Sequence, residues 1–511
     1  MLASEVLSDP RVSPSLPRML RSNQSSRDDD FRTPFWSKGD RSEIVEGWLR
    51  VVEANKELLP RTLYEYELSE AEKIGPISPR KSAAERRESQ EAYFDVGEPP
   101  DPSLVEKFST LLRPGMARRL RPLSPEAASM ELQGNTNSGY PYFTRKSEVR
   151  AADLDITLAG DWFGMPAIAF ARTTAHGPNI EDAQTREVFG FPSSSTIKEL
   201  QYFVPWLEPF RRHPALSALE SVEAVAASVS AFMAFAAEKH TKMYSTDFEG
   251  FDKSIHPESL RAIGREVAMA FQLSYSEELE RIFDNVANIP WLITDEDMLV
   301  GAHGMPSGTG WTSGGDSIHH KKGQELQAHL YGTVLNPWCQ VQGDDGLLNF
   351  AIDVEDDLMS DHWKQLGQTE NPEKRFSSYS ECFYLRRYYG EGLPGAYSTC
   401  RALNSILGRE RFYDEEGWDG AMEIIRALMI LENPKHNPLH LLFVDFVAQG
   451  DIYGLGAKWP GGIDGVVSRR RLEKARGIRG FIPSYNQEDR LGGIRNFVTY
   501  RYLKEKELGN T

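Results

Sequence analysis

One stretch constrains this chain more than any other: Cys339-Gln340-Val341-Gln342-Gly343-Asp344-Asp345-Gly346-Leu347-Leu348-Asn349-Phe350. Two apolar-tending runs flank a Gly-Asp-Asp, which reads as strand, tight turn, strand. Gly343 tolerates a positive φ, and two adjacent carboxylates at a turn repel each other unless a cation holds them. The economical chemistry for such a pair is a divalent metal on hard oxygen ligands. A solvated surface turn carries the same local pattern, so the tripeptide alone leaves both readings open.

At 511 residues the chain calls for several subdomains. Its 40% hydrophobic and 26% charged residues are those of an ordinary globular protein, and no stretch is apolar for long enough to span a bilayer. Met1-Leu2-Ala3-Ser4-Glu5-Val6 lacks a basic-then-apolar signal region, so secretion is not expected. Cys339, Cys382 and Cys400 form neither a metal-type spacing nor a disulfide framework, which fits a reducing compartment. A net charge of −17 argues against a polyanionic ligand only at face value, since a basic channel can sit inside an acidic shell.

Along the chain, residues 1 to about 40 lack periodicity and read as a flexible or surface-draped arm. An amphipathic helix is expected from Glu43 to Leu58. Arg113, Arg118, Arg119 and Arg121 form either a solvated charged turn or a phosphate-contacting patch. The loop Asn137-Ser138-Gly139-Tyr140-Pro141, with its aromatics and following cations, suits gripping a single strand, and equally a plain loop. Segments around Arg172 and Arg186 read as a hairpin; Lys198 follows. Guanidiniums on those strands could orient a triphosphate or pair with surface carboxylates. Leu216 to His240 reads as a buried Ala-rich helix.

A short strand then ends at Asp247, a turn carries Asp252, and Pro257 opens a helix. The Gly/Ser/Thr loop from Gly304 runs into a helix from about Thr312 through His329. His319 and His320 are adjacent and make a poor metal pair, as do His436 and His440 without an accompanying carboxylate motif. Val354 to Leu366 is expected to be helical, Gln368 to Lys374 a loop, and Phe383 to Tyr389 one strand of a second hairpin. The remainder reads as largely helical, with a basic run at Arg469-Arg470-Arg471, Lys474, Arg476 and Arg479.

Taken in order, Asp247 and Asp252, then Ser307-Gly308-x3-Thr312, then Gly343-Asp344-Asp345, then Lys374 and the Phe383 to Tyr389 strand resemble the motif series A to E of viral RNA-dependent RNA polymerases. Arginine-bearing strands stand before them where motif F belongs. Asn137-Ser138-Gly139-Tyr140-Pro141, Thr185-Arg186-Glu187-Val188-Phe189-Gly190 and Asp316-Ser317 resemble picobirnavirus and partitivirus polymerases, the former more closely. The resemblance covers roughly residues 130 to 400.

It implies an α+β right-hand fold: fingers, a palm of antiparallel sheet plus helices, and a helical thumb, closed by an N-terminal region bridging fingers and thumb. The expected division is 1–110 N-terminal extension, 111–215 fingers, 216–262 palm with motif A, 263–300 fingers insertion, 301–395 palm with motifs B to E, and 396–511 thumb and tail. Asp247 and Asp344, assisted by Asp345, would hold two Mg²⁺ or Mn²⁺ ions. Arg186, Arg172 and Lys198 would hold the incoming rNTP, with Ser307, Gly308, Thr312 and Asp316 completing the nucleotide site. Lys374 would be the general acid for pyrophosphate, with Arg375 and Arg386 as competitors. Asn137, Ser138, Gly139, Arg386 and Arg387 would contact template RNA.

Asp252 would read the ribose 2′-hydroxyl, where reverse transcriptases carry an aromatic. Asp316 stands where positive-strand virus enzymes have Asn, so facing Asp252 it needs a shared proton, a serine such as Ser307, or a separate orientation. The implied function is template-directed RNA synthesis on a double-stranded RNA viral genome; the alternative is a reverse transcriptase or another two-metal nucleotidyl transferase. Implied partners are RNA template and product, rNTPs and a capsid protein, with no membrane, for a monomeric enzyme in the virion interior and host cytoplasm.

Overall fold

Helices and short strands alternate throughout, which bears out the α+β expectation. The computed structural model describes residues 2–36, 39–107, 117–390, 392–413, 417–478, 481 and 493–509; Arg113 and Arg479 lie outside them. The strands are β1 (Ala167–Thr174), β2 (Gln184–Gly190), β3 (Met243–Thr246), β4 (Trp291–Leu292), β5 (Met298–Leu299), β6 (Gln340–Gln342), β7 (Asp345–Asn349), β8 (Phe376–Ser378), β9 (Cys382–Tyr384), β10 (Arg387–Gly390) and β11 (Leu393–Tyr397). Two compact units divide the chain: Met1–Ser25, Ser82–Phe170 and Glu187–Leu385 form the first, and Ser26–Lys81, Ala171–Arg186 and Arg386–Thr511 the second. The N-terminal extension thus contributes to both.

In the first unit an antiparallel sheet runs in the order β6-β7-β3-β8. β3 is an inner strand buried at every position, so Met243 and Tyr244 pack on one side or the other while its backbone is paired to β7 and β8. The helix Thr312–Leu330 packs against this sheet and is buried over most of its length, Gly314 to Ala328 almost without a break. Its Ser313, Ser317, His320 and Gln324 recur at helical spacing and share one face. A buried polar face must find partners, and Gln324 Nε2 donates to the carbonyls of Gln340 (3.1 Å) and Leu347 (3.0 Å), one on each strand of the β6–β7 hairpin. Trp206, Phe210, Ile263, Val267, Leu279, Ile282, Phe283 and Trp311 form a neighbouring apolar core.

Four expectations need correction. Residues 1 to 40 are not a loose arm: Ala3–Leu7 and Ser15–Ser22 are helical, Leu16 and Leu20 are fully buried, and Asn23 Nδ2 donates to the carbonyls of Ala169 and Ile293. The Ala-rich helix, Val222–Lys239, buries only the stripe Val225, Val229, Phe232 and Ala236; alanine made the segment helical through propensity, not through burial. The helix expected over 354–366 is confined to Met359–Lys364. Phe383 to Tyr389 is not one strand, because Leu385 (φ 51°) and Arg386 (φ 60°) are left-handed and separate β9 from β10. β10 instead pairs with β11, antiparallel.

The second unit is mostly helical. Its Arg41–Ala54 helix carries the expected apolar stripe (Ile44, Trp48, Val52), and Trp48 Nε1 donates to Thr399 Oγ1 at 2.9 Å. The buried Glu67 carboxylate accepts from Thr399 N, Cys400 N, Ser398 Oγ and Asn437 Nδ2, placing negative charge at the N-terminus of the Thr399–Leu407 helix. The basic run lies on the helix Arg469–Gly477, where Arg471 caps the Gly465 carbonyl and stacks over Trp459, and Lys474 pairs with Asp419. Among the described residues no helix is long and apolar enough to cross a membrane.

Gly323 marks the tightest helix contact in the first unit: a Cβ there would lie 1.7 Å from the buried Trp363 ring. Gly323→Ala should therefore destabilise the fold by about 1–3 kcal/mol, the usual range for overpacking. Gly477→Ala, where a Cβ meets nothing within 4 Å, should leave thermal unfolding within a few tenths of a kcal/mol of the parent or slightly raise it.

Candidate active site

The Gly-Asp-Asp forms the predicted hairpin. Gln342 pairs with Asp345, so Gly343 and Asp344 alone make a two-residue loop. Gly343 takes φ 63°, the conformation that glycine permits at no cost. Asp344 is exposed at the tip and Asp345 is half-buried. β3 pairs with β7 up to Thr246↔Gly346, and one step further the antiparallel register sets Asp247 alongside Asp345. Asp247 is exposed, and its carbonyl accepts from Asn371 N at 2.9 Å.

The turn is gripped from the side by the Thr312–Leu330 helix. Gly343 N donates to Ser317 Oγ (2.9 Å), and His320 Nδ1 lies 2.9 Å from the Gly343 carbonyl. Burial pushes His320 down to about 4, so the ring is neutral near pH 7. Gln342 Nε2 donates to Ser313 Oγ on the same helix face. Sequence reasoning gives neither Ser317 nor His320 a role; the signal that could have found them is the 3.6-residue spacing of Ser313, Ser317, His320 and Gln324 along the helix.

Asp252 and Ser307 meet as anticipated: Ser307 Oγ donates to Asp252 Oδ2. The backbone holds the pair together, Met305 N donating to the Asp252 carbonyl (2.8 Å) and Phe189 N to the Ser307 carbonyl (2.9 Å). Gly308 follows at φ 147°, and a Cβ there would lie 1.9 Å from the Phe189 carbonyl oxygen, so only glycine fits. Thr312 Oγ1 braces this loop from within, accepting from Gly308 N and donating to the Thr309 carbonyl.

Asp316 is buried in the same helix, with Oδ1 lacking a hydrogen-bond partner among the described residues. Burial first, then the charges of Asp252 and Asp344, push its carboxyl well above the ordinary range. Of the ways to place Asp316 near Asp252, the structure uses a serine on Asp252, and burial disfavours a charge on Asp316.

Lys374 is exposed, and its N–H rests on the Asn371 carbonyl, the residue whose own N–H holds Asp247. Its competitors are otherwise engaged or placed: Arg375 is paired with Glu370 and Asp356, and Arg386 occupies the left-handed turn after β9, in the second unit.

Several residues expected at the ligands have partners within the protein. Ser138 is fully buried, its hydroxyl and backbone tied to Thr144 and its carbonyl to Ser193, while Asn137 Oδ1 accepts from Gly139 N. A Cβ on Gly139 would lie 2.5 Å from the Phe191 carbonyl oxygen. That loop is held by packing and hydrogen bonds within the first unit. Lys198 is nearly buried and paired with Glu278, which Tyr202 also reaches. Arg172 pairs with Glu410 at 2.7 Å, and Arg387 spends its guanidinium on the Gly395 and Asn433 carbonyls and the Tyr397 ring. Arg186 is exposed and makes no ion pair among the described residues.

Among the described residues no group of three His, Cys, Asp or Glu side chains is placed to hold a metal ion by itself. What Asp247, Asp344 and Asp345 offer is an open edge of hard carboxylate oxygens, needing water or phosphate oxygens to complete a shell. That arrangement fits Mg²⁺ or Mn²⁺ far better than a structural metal.

Comparison with known proteins points the same way. The family model for viral RNA-dependent RNA polymerase matches residues 178–407. A curated potential RNA-dependent RNA polymerase of human picobirnavirus (strain Human/Thailand/Hy005102/-) is 29% identical over 513 residues, covering 94% of this chain and 95% of that protein. The crystal structure of the RNA-dependent RNA polymerase of a human picobirnavirus superposes with a TM-score of 0.83 at 26% identity, covering 98% of this chain and 99% of that one. The insertion loop deletion mutant of a human picobirnavirus polymerase gives a TM-score of 0.82 over the same shares.

The loop that carries Ser307 also rests on a buried acid. Glu199 accepts from Gly310 N (2.6 Å) and the Thr309 hydroxyl, and burial raises its carboxyl from 4.5 to about 7. A raised acid stabilises the fold while protonated, so its contribution is complete below about 4.5 and is lost as pH rises through about 7. Glu199→Gln, which keeps an acceptor for Gly310, should gain stability relative to the parent across that window in urea unfolding at a series of pH values. A difference that does not change with pH would contradict this.

Proposed function

We propose that this chain, an RNA-directed RNA polymerase that resembles the viral RNA-dependent RNA polymerases, transcribes and replicates a double-stranded RNA genome by two-metal nucleotidyl transfer. The observation that carries the reading is the register of β3 against β7, which sets Asp247 alongside Asp345 with Asp344 on the adjoining two-residue turn. Divalent cations, on which the family depends, would be held by Asp247 and Asp344 with Asp345 assisting, lowering the pKa of the attacking 3′-hydroxyl and offsetting charge on the pyrophosphate.

The chain's own groups do the rest. Asp252, oriented by Ser307, accepts from a ribose hydroxyl of the incoming rNTP, which selects against dNTPs. Asp316, holding its proton, adds a donor nearby without adding charge to an already acidic site. Lys374 supplies the proton to pyrophosphate, being the exposed cation on the loop that contacts Asp247. Arg186 is the exposed guanidinium suited to the triphosphate. In this reading residues 216–262 and 301–395 make the palm and 396–511 the thumb. The enzyme works as a monomer in the host cytoplasm and inside the virion beside capsid protein.

Two measurements test it. With an RNA template and labelled rNTPs, Asp344→Ala should lose incorporation by on the order of 10²-fold or more, and chelation of divalent cations should abolish it in the parent. Retained synthesis in Asp344→Ala would remove this turn from the chemistry. Asp252→Ala should narrow the rNTP-over-dNTP ratio by roughly tenfold, the worth of one hydrogen bond to a charged group; an unchanged ratio would take Asp252 out of sugar selection.

A further inference from the structure

The two-residue loop that carries Asp344 has no side-chain anchor of its own. A Cβ at Gly343 would meet nothing within 4 Å, and Asp344 is exposed. What holds it is the neighbouring helix, at both polar atoms of one peptide residue. Ser317 Oγ receives the Gly343 N–H at 2.9 Å, while the same hydroxyl donates to the Ser313 carbonyl at 2.6 Å, so its donor and acceptor roles are fixed. One turn along, His320 Nδ1 faces the Gly343 carbonyl at 2.9 Å.

A carbonyl can only accept, so Nδ1 carries the imidazole proton. A neutral ring then leaves Nε2 as an acceptor, and it lies 3.4 Å from Thr246 Oγ1, the residue before Asp247. The imidazole is wedged in place: a Cβ at Gly346 would lie 2.4 Å from its Nε2 edge, and Phe248, Phe251 and Trp363 surround it. Its burial keeps it neutral, as this arrangement requires.

We propose that His320, with Ser317, is the positioning residue of the catalytic centre: through its Nδ1–H on Gly343 and its Nε2 beside Thr246 it sets Asp344 and Asp247 at a fixed separation. The proposal rests on the reading of those two aspartates as the cation-binding pair. It assigns no chemical step to the imidazole.

The donor's position makes it testable. Asn places an amide N–H near the site of His Nδ1, whereas Gln places one near Nε2 and Phe fills the space with none. His320→Gln and His320→Phe should lower kcat by on the order of 10²-fold, the cost of misplacing a reacting group by about 1 Å, with KM for rNTP little changed. His320→Asn should recover most of the loss although it leaves the larger cavity. Mn²⁺ alone, titrated by EPR, should bind His320→Gln more weakly and His320→Asn like the parent. Ser317→Ala combined with His320→Gln should cost less than the product of the single losses, since both act on one residue.

A purely packing role predicts the reverse order, Asn worst and Phe best, and that order would overturn the proposal. So would a loss borne by KM, or no loss in any variant. Failure of the underlying assignment looks different: Asp344→Ala would then retain synthesis, whereas failure of the positioning role leaves Asp344→Ala inactive and removes only the ranking of the His320 series.

Discussion

A two-residue loop places its carboxylate only as accurately as something else holds the loop. Here that something is a pair of hydrogen bonds at Gly343, whose N–H donates to Ser317 Oγ and whose carbonyl accepts from His320 Nδ1. They belong to a longer face, Ser313 to Gln342 and Gln324 to Gln340 and Leu347, that fastens one buried helix along both strands of the β6–β7 hairpin. Inside a protein an unmade hydrogen bond costs about 1–3 kcal/mol. Sliding the hairpin against the helix would break several at once, so the turn has a single position. The helix also carries Asp316, and its first turn follows the Ser307-Gly308 loop, so the same element sets both sides of the site.

Gathering aspartates near one strand end is electrostatically costly, and those of this site are accommodated in three ways. Burial disfavours a charge on Asp316; Asp252 receives a serine hydroxyl; Asp247 and Asp344 face solvent, where water screens them. This ordering explains how a chain of net charge −17 can still act on polyanions. Cations that stay exposed, such as Lys374 and Arg186, remain available to phosphate, while Lys198, Arg172, Arg375 and Arg387 are spent on carboxylates and carbonyls that hold the fold. Local sequence could not show which carboxylate or carbonyl partners these cations would meet.

Local pattern made much of the site legible. The hairpin, the strand ending before Asp247, the glycine-rich loop and the start of its helix at Thr312 all follow from turn chemistry and periodicity, signals that act within a few residues. Asp252 and Ser307, expected in one site, are hydrogen-bonded to each other. Less legible were elements whose state depends on distant partners. Residues 1–40 looked structureless because their apolar residues, Leu16 and Leu20 among them, are few and find their contacts far along the chain. Phe383 to Tyr389 looked like one strand because nothing in its composition announces left-handed Leu385 and Arg386.

By itself, then, the sequence determined which residues could do the chemistry: carboxylates at a strand end and at a glycine turn, in an order that few folds share. Their separation was decided only by tertiary structure. The β3–β7 register that sets Asp247 beside Asp345 joins residues about a hundred positions apart, and a one-residue slip would turn every side chain to the opposite face. The raised proton affinity of Asp316 and the neutrality of His320 likewise come from burial and from neighbours contributed by other segments, because desolvation is a property of the packed interior and has no local sequence signature.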